Sequence, residues 1–500
     1  MSVTTPSENI EKNDNIGRNL TSLFFQNKEV LVKHHIDSFN HFVDNKIPEI
    51  IEEYNKNNKN IINSEFDPEI DDYRLKYYIK FGKIYISKPT LQENQTIVRQ
   101  MFPNDARLQN LTYSSTIKVD IYHKLVERVG KDNQVKETEF TPLLQYPIGK
   151  IPMMIQSKYC VLSDVSNLTK SDVGECIYDY GGYFIVNGNE KVIVMQERKA
   201  ENIIFCFKQG KTSSKFSHKC EISSVHESNP FGVKNVEVKY TSKEGTFGRT
   251  FKVKIQGLRQ EIPLFIVFRC LGILSDKEIC ELIFYNLNDN DTKNYLEFLR
   301  PSIEESQEIQ TMQIALEYFS KYLIISANNK WFQSSNKKLW YTQNIIKTEL
   351  LPHVGDDFRK KGIFLGLMVN KLLESIVENK YHDRDNFLNK RVDTSGELLA
   401  FLFRANFKKM IRDIENMSKN ELSKRRFDDL AMGLSKKIKK STIESGLKYG
   451  LSTGNWGLKN QNIPRKGIAQ VLNRQSYLSF LSHLRRLQAP IDRTKNSKNT

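Results

Sequence analysis

The chain reads as an α+β protein of several domains, and three observations predict this. At 500 residues it is too long for one ordinary hydrophobic core. Its first half and middle carry short apolar alternations of period two, the signature of half-buried strands. From about residue 276 to 450 the apolar period changes to that of helices. The order mixed, β, helical, then basic loop implies at least one domain inserted into another.

Taken in order, residues 1–27 are polar and read as a loose lead, with 1–19 disordered. Leu31, His35, Phe39, Phe42 and Val43 then recur at helical spacing, and Pro48 kinks that helix or starts a second turn. The Asn/Lys-rich tract 55–65 reads as a loop. Tyr77, Ile79 and Phe81, then Ile84 and Ile86, predict two short strands about Gly82; Ile117, Val119 and Ile121 predict another. Asn187-Gly188 between Tyr183-Phe184-Ile185-Val186 and Val192-Ile193-Val194-Met195 is the clearest hairpin signal. A β-rich block follows over about 203–270, broken by a Ser/Lys-rich loop at 209–219. Phe364, Met368, Leu372, Leu373 and Ile376 form one helical stripe; Leu399, Phe403, Phe407, Met410, Ile411 and Ile414 form another, and both read as core faces. Gly446, Gly450, Gly454 and Gly457 signal a change to loop.

Several function classes find no support. The longest apolar runs, such as 262–270, fall well short of the roughly 20 residues a bilayer span needs. The start, Met1-Ser2-Val3-Thr4-Thr5-Pro6, has no apolar core, so no signal peptide is expected and the reading is soluble and intracellular. Six cysteines without a Cys-x-x-Cys pair fit neither a zinc ribbon nor a disulfide framework and read as reduced thiols. No phosphate-cradling glycine loop, Asp-x-Asp-x-Asp or Gly-x-Ser-x-Gly occurs. His382-Asp383-Arg384-Asp385 reads as self-paired ions rather than a metal site. Lys436-Lys437-Ile438-Lys439-Lys440 reads as a solvated helical face in preference to a nuclear import signal.

The charge is informative. Of a net +16, about +15 lies in residues 401–500, where roughly 22 Lys/Arg face roughly 7 Asp/Glu. A basic end on a near-neutral body suits a polyanion, because each neutralised phosphate releases counterions. The candidate nucleic-acid contacts are Lys459, Arg465, Lys466, Gln470, Arg474, His483, Arg485, Arg486 and Arg493. Amides among guanidiniums suit sugar and phosphate. Trp456, flanked by glycines, reads as a buried anchor before a base-stacking platform. Arg485 and Arg486 are adjacent, so on a helix they splay by about 100°. One is expected on nucleic acid and the other on a carboxylate.

Gly454-Asn455-Trp456-Gly457, Gln470-Val471-Leu472-Asn473-Arg474 and Leu481-Ser482-His483-Leu484-Arg485-Arg486 closely resemble the fork of the second-largest subunit of multisubunit DNA-directed RNA polymerases. The eukaryotic-nuclear or large-DNA-virus type fits best. Further matches run through His35 to Val43, Phe81 to Tyr85, Ala106 to Ser115, Ile148 to Met154, Ser157 to Cys160, Gly181 to Gly188 with Glu190-Lys191 and Gln196 to Arg198, Asp383 to Asp385, Lys390-Arg391 and Ser445 to Tyr449. The resemblance implies a protrusion at 20–198 and 386–445, a lobe inserted at 199–385 and a fork from 446 to 500. It implies a channel wall beside template DNA and the RNA–DNA hybrid. The catalytic Mg2+ would be held by the largest subunit and none by this chain. The partners implied are that subunit, the other polymerase subunits and the remainder of the second-largest subunit, with nucleus or a viral replication site as address. Where the family often has serine before the glutamine, this chain has Ala469. The hybrid-binding part of the family does not appear before Thr500, so a fragment or split subunit is expected. The rival expectation is a non-catalytic nucleic-acid-binding scaffold derived from that subunit.

Overall fold

A computed structural model describes residues 6–26, 28–56, 61–63, 66–67, 72–73, 75–92, 98–129, 134–164, 170–209, 215–226, 232–285, 290–324, 335–383, 385–424, 433–457 and 466–489. Two units divide the chain: Met1–Arg198 with Val392–Thr500, and Lys199–Arg391.

The first unit begins with a correction to the expected disordered lead. Helix α1 covers Pro6–Gln26. Ile16, Leu20, Leu23 and Phe24 fall on one face of it, a stripe that the polar average of the segment concealed. Helix α2 (Lys33–His41) runs into a π-turn (Phe42–Lys46) and then α3 (Ile47–Lys56). Pro48 brings no N–H to the ladder, and the wider turn before it absorbs the gap, so the helix continues.

Strand β1 (Ile61–Asn63) lies inside the tract expected to be loop; it pairs with β2 (Leu75–Ile86). The two strands expected about Gly82 are this one long β2, with its register shifting between Phe81 and Ile84. After helix α4 (Pro103–Leu108), β2 pairs with β3 (Ser114–Val129), which also pairs with β4 (Gln134–Glu139) and β5 (Leu143–Pro152). Tyr77, Ile79, Phe81, Ile117, Val119 and Ile121 share the buried face. The expected hairpin is present as β6 (Phe184–Val186) and β7 (Asn189–Ile193), with φ of 50° at Asn187 and 75° at Gly188, the type I′ turn that Asn-Gly favours. Strand β8 (Met195–Lys199) follows.

The second unit holds an antiparallel five-stranded sheet: β9 (Phe205–Lys208), β10 (Phe216–Ser224), β11 (Lys234–Thr241), β12 (Phe251–Lys254) and β13 (Ile262–Pro263), in that order. The β block does not reach 270, for α5 is Leu264–Cys270. All seven of its residues are buried, so the run has no period by which helix and strand could be told apart. Helices α6 (Asp276–Phe284), α7 (Asn290–Glu305), α8 (Met312–Lys321), α9 (Ser335–Glu349) and α10 (Phe358–Glu378) complete the unit. Leu365, Met368, Val369, Leu372 and Leu373 of α10 are buried in the same core as Cys220, Val236 and Val238 of the sheet. Lys361 is fully buried, its Nζ donating to the carbonyls of Ile346, at 3.2 Å, and of Lys347 and Leu350, at 2.5 and 2.6 Å, which satisfies the end of α9. His382 is bound to backbone: its Nδ1 accepts from Cys206 N–H at 3.1 Å.

The first unit resumes with α11 (Ser395–Ser423) and α12 (Ser441–Thr453). Leu399, Phe403, Phe407, Met410, Ile411 and Ile414 are buried, as a core face requires. Gly446 and Gly450 lie inside α12 rather than in a loop. A Cβ at Gly446 would fall 2.1 Å from Asn406 Oδ1, and one at Gly450 would fall 2.6 Å from Leu402 Cδ1, so these glycines permit close packing against α11. The lysine run is not a wholly solvated face: Lys437 is 4 % exposed and pairs with Glu421. Strand β14 (Ala469–Val471), helix α13 (Tyr477–Leu484) and strand β15 (Leu487–Gln488) complete the unit.

Candidate nucleic-acid interface

The basic end is built onto the hairpin. Gly454 ends α12 with φ 73°, and a Cβ there would lie 2.6 Å from Ala469 O. The chain then returns so that β14 pairs antiparallel with β7, Val192 opposite Gln470, while β15 runs parallel to β8. Trp456 is 2 % exposed and its Nε1–H donates to Leu398 O at 2.8 Å, which makes it the buried anchor expected. Helix α13 starts from a reciprocal cap: Ser476 Oγ accepts from Ser479 N, and Ser479 Oγ accepts from Ser476 N.

His483 and Gln470 face each other. His483 Nδ1 accepts from Asn473 N–H at 3.1 Å, so its Nε2 carries the proton and donates to Gln470 Oε1 at 3.1 Å. Gln470 Nε2 donates in turn to Gly467 O at 3.1 Å. Burial, then the Arg486 charge, holds the His483 pKa below its ordinary value, which keeps the ring neutral. These two side chains fix the turn between β14 and α13.

Arg474 is the centre of an ionic cluster. Its Nε and Nη2 grip Glu190 at 2.7 and 2.9 Å, and Nη2 also donates to Asp179 at 2.9 Å. Its guanidinium lies 4.5 Å from the Phe480 ring centre and 5.1 Å from that of Tyr183. Arg107 of α4 closes the cluster, donating to Glu190 at 2.9 Å, Glu175 at 2.8 Å and the Tyr183 hydroxyl at 2.7 Å. Burial works to raise the Glu190 carboxyl, but the Arg474 and Arg107 pairs overcome it and hold its pKa below the ordinary value. For Glu175, burial prevails over Arg107 and raises the pKa. The sequence marks Arg474 as a contact for nucleic acid and carries no signal that Asp179, Glu190 and Tyr183 surround it. The run of similar arginines offered no signal of which one is spent internally.

The C-terminal end of α13 is tied to the start of the unit. His35, fully buried, donates through Nε2 to Leu484 O at 2.6 Å. Arg485 Nη1 donates to Leu31 O at 2.9 Å, so the carboxylate partner expected for one of the paired arginines is a backbone carbonyl. Arg486 and Lys466 are exposed. Lys459, Arg465 and Arg493 lie outside the described residues. A hollow of about 220 Å3 beside the cluster is lined by Cys176, Tyr178, Asp179, Arg474, Ser476, Tyr477 and Phe480.

The acidic groups here do not suit a divalent cation, because Glu190 and Asp179 are already paired with guanidiniums. Among the described residues no group of three or more His, Cys, Asp or Glu lies together as a metal site would need, and no helix is long and apolar enough to cross a membrane.

Residues 30–445, nearly all of the first unit's opening half together with the second unit and its return, match the family described as RNA polymerase beta subunit, and the chain belongs to that family. It is the N-terminal part of a second-largest subunit. Among its relatives is the DNA-directed RNA polymerase II subunit RPB2 of Meyerozyma guilliermondii, 38 % identical over 491 residues, covering 94 % of this chain and 38 % of the relative. DNA-directed RNA polymerase II subunit 2 of Arabidopsis thaliana is 37 % identical over 483 residues, covering 94 % and 39 %. The DNA-directed RNA polymerase subunit Rpo2N of Methanococcus vannielii is 31 % identical over 485 residues, covering 96 % of this chain and 87 % of that subunit. The chain thus spans about two fifths of the eukaryotic relatives' length and most of the archaeal one.

Proposed function

We propose that this chain forms part of the channel wall of a multisubunit DNA-directed RNA polymerase and grips nucleic acid during transcription. The observation that carries the reading is family membership over residues 30–445. Its activity would be that of the assembled nucleotidyltransferase, with the catalytic Mg2+ on the largest subunit and the remaining second-largest-subunit segments and other subunits as partners. In this reading residues 199–385 are the lobe, 20–198 and 386–445 are the protrusion, and the segment from 446 begins the fork; the division of the chain into Met1–Arg198 with Val392–Thr500 and Lys199–Arg391 supports an inserted domain. The RNA polymerase II relatives support a nuclear address.

The nine candidate contacts then divide by role. Arg486 and Lys466, both exposed, meet phosphate, and Arg485 contributes the charge it does not spend on Leu31. Arg474, Gln470 and His483 hold the wall in shape. Lys459, Arg465 and Arg493, outside the described residues, keep the role of candidate phosphate contacts that their charge gives them. The test uses polymerase reconstituted with substituted chain. Arg486→Ala should shorten elongation-complex lifetime, more so at raised salt, and lower the salt slope by about 1 for each phosphate it no longer neutralises. Unchanged lifetime and slope would remove Arg486 from the interface.

A further inference from the structure

Cys206 and Cys220 stand directly opposite one another on β9 and β10 of the second unit. Two independent sets of hydrogen bonds fix the kind of pair they form. Gln209 N–H donates to Ser217 O at 2.8 Å, and counting back two residues at a time along the ladder makes 207/219 and 205/221 the hydrogen-bonded pairs. Cys206 itself turns its backbone away from β10: its N–H donates to His382 Nδ1 and its C=O accepts from His382 N, both at 3.1 Å. The two cysteines are therefore a non-hydrogen-bonded pair, in which α-carbons approach to about 4.5 Å. Disulfides accept about 4.4–6.8 Å.

Both thiols are free, fully buried and hydrogen-bonded to each other. The Cys220 hydrogen bond, against the effect of burial and helped by Ser375 and the Lys371 charge, holds the Cys206 pKa below its ordinary value; burial raises that of Cys220. Strand β9 is the edge of the sheet, so access to the pair requires opening one edge strand rather than the core.

We propose that Cys206 and Cys220 form a reversible cross-strand dithiol–disulfide site whose co-reactant is a low-molecular-weight disulfide of the glutathione type. The Cys206 thiolate attacks one sulfur of the oxidant, giving a protein mixed disulfide and releasing one thiolate. Cys220, losing its proton to solvent, then attacks the Cys206 sulfur and releases the second thiolate. Two protein thiols are oxidised by two electrons, and one small disulfide is reduced to two thiols. The closed bond staples the edge strand β9 to β10.

The full chain is equilibrated in reduced/oxidised glutathione buffers of increasing poise, acid-quenched, alkylated and mapped by non-reducing peptide mass spectrometry. The exposed Cys176 serves as the internal reference for oxidant strength. The expected result is one cross-link joining the 206 and 220 peptides, about 2 Da lighter than the two thiols and reversed by dithiothreitol. Cys160, Cys270 and Cys280 should stay alkylated. Cys176→Ser should retain the cross-link and Cys220→Ser should abolish it. If Cys176 is fully converted to its mixed disulfide while Cys206 and Cys220 both remain alkylated, the proposal is overturned. A Cys206 cross-link to any other cysteine overturns it equally. Neither outcome depends on a variant that folds poorly.

Discussion

Arg474 pairs with two carboxylates and covers the Phe480 ring. Its removal leaves Glu190 and Asp179 with fewer donors in a half-buried place, so Arg474→Ala should destabilise the first unit by about 2–3 kcal/mol, discounted because the side chain is partly solvated. Chemical denaturation measures this; Arg486→Ala, whose side chain is exposed, should change stability by less than about 0.5 kcal/mol. His35 supplies a pH prediction. Burial, then the neighbouring His34, lowers its pKa to about 4 against the Leu484 hydrogen bond. Between that value and the ordinary one near 6.5 the unfolded chain binds a proton that the folded chain refuses. The stability is therefore fully present above about pH 6.5 and is lost as pH falls toward 4, by at most about 3 kcal/mol. His35→Gln keeps a donor for Leu484 and removes the titration. Urea midpoints at pH 7.5 and 4.5 should differ less in this variant than in the parent chain, and an equal loss in both would exclude His35 as a source of acid sensitivity.

At the scale of elements, close approach is set by small residues. A Cβ at Gly396, in the first turn of α11, would fall 2.0 Å from the carbonyl oxygen of Ser38 in α2. A backbone atom cannot swing aside as a side chain can, so Gly396→Ala must push α11 off α2. The expected cost is about 1–3 kcal/mol, read as a lowered midpoint with unchanged m-value. The glycine was visible in the sequence, but its neighbour 358 residues away was not. The same separation explains which elements were legible. The Asn187-Gly188 hairpin and the helical stripes of α10 and α11 depend on neighbours a few residues apart, and pattern finds them. The helix at Leu264–Cys270, the strand at Ile61–Asn63 and the helical setting of Gly446 and Gly450 depend on what packs against them. There the local signal is ambiguous or points the wrong way.

For the whole molecule, two separate cores predict two cooperative units. One contains Phe403 and Phe407 with the sheet of β2 and β3; the other contains Leu372 and Leu373 with Val236 and Val238. Phe403→Ala should lower the stability of the first by about 3–5 kcal/mol, and Leu372→Ala that of the second by about 2–5 kcal/mol. Hydrogen exchange resolved by peptide should show each substitution accelerating exchange within its own unit and leaving the other unchanged. Exchange that rises uniformly through both would mean a single cooperative body.

The sequence alone determined the α+β class, the hairpin, the core stripes, the concentration of positive charge after residue 400 and, through ordered motifs, the family. Each of these is either a local period or a word read along the chain. Only the tertiary structure decided which of the basic residues are available. Arg474 and Arg486 are equally charged on paper, but Arg474 finds Glu190 284 residues earlier and Asp179 295 residues earlier, while Arg486 stands exposed. A charge is free to hold a phosphate only where folding has not already paired it. That pairing is set by residues distant in the chain and adjacent in space.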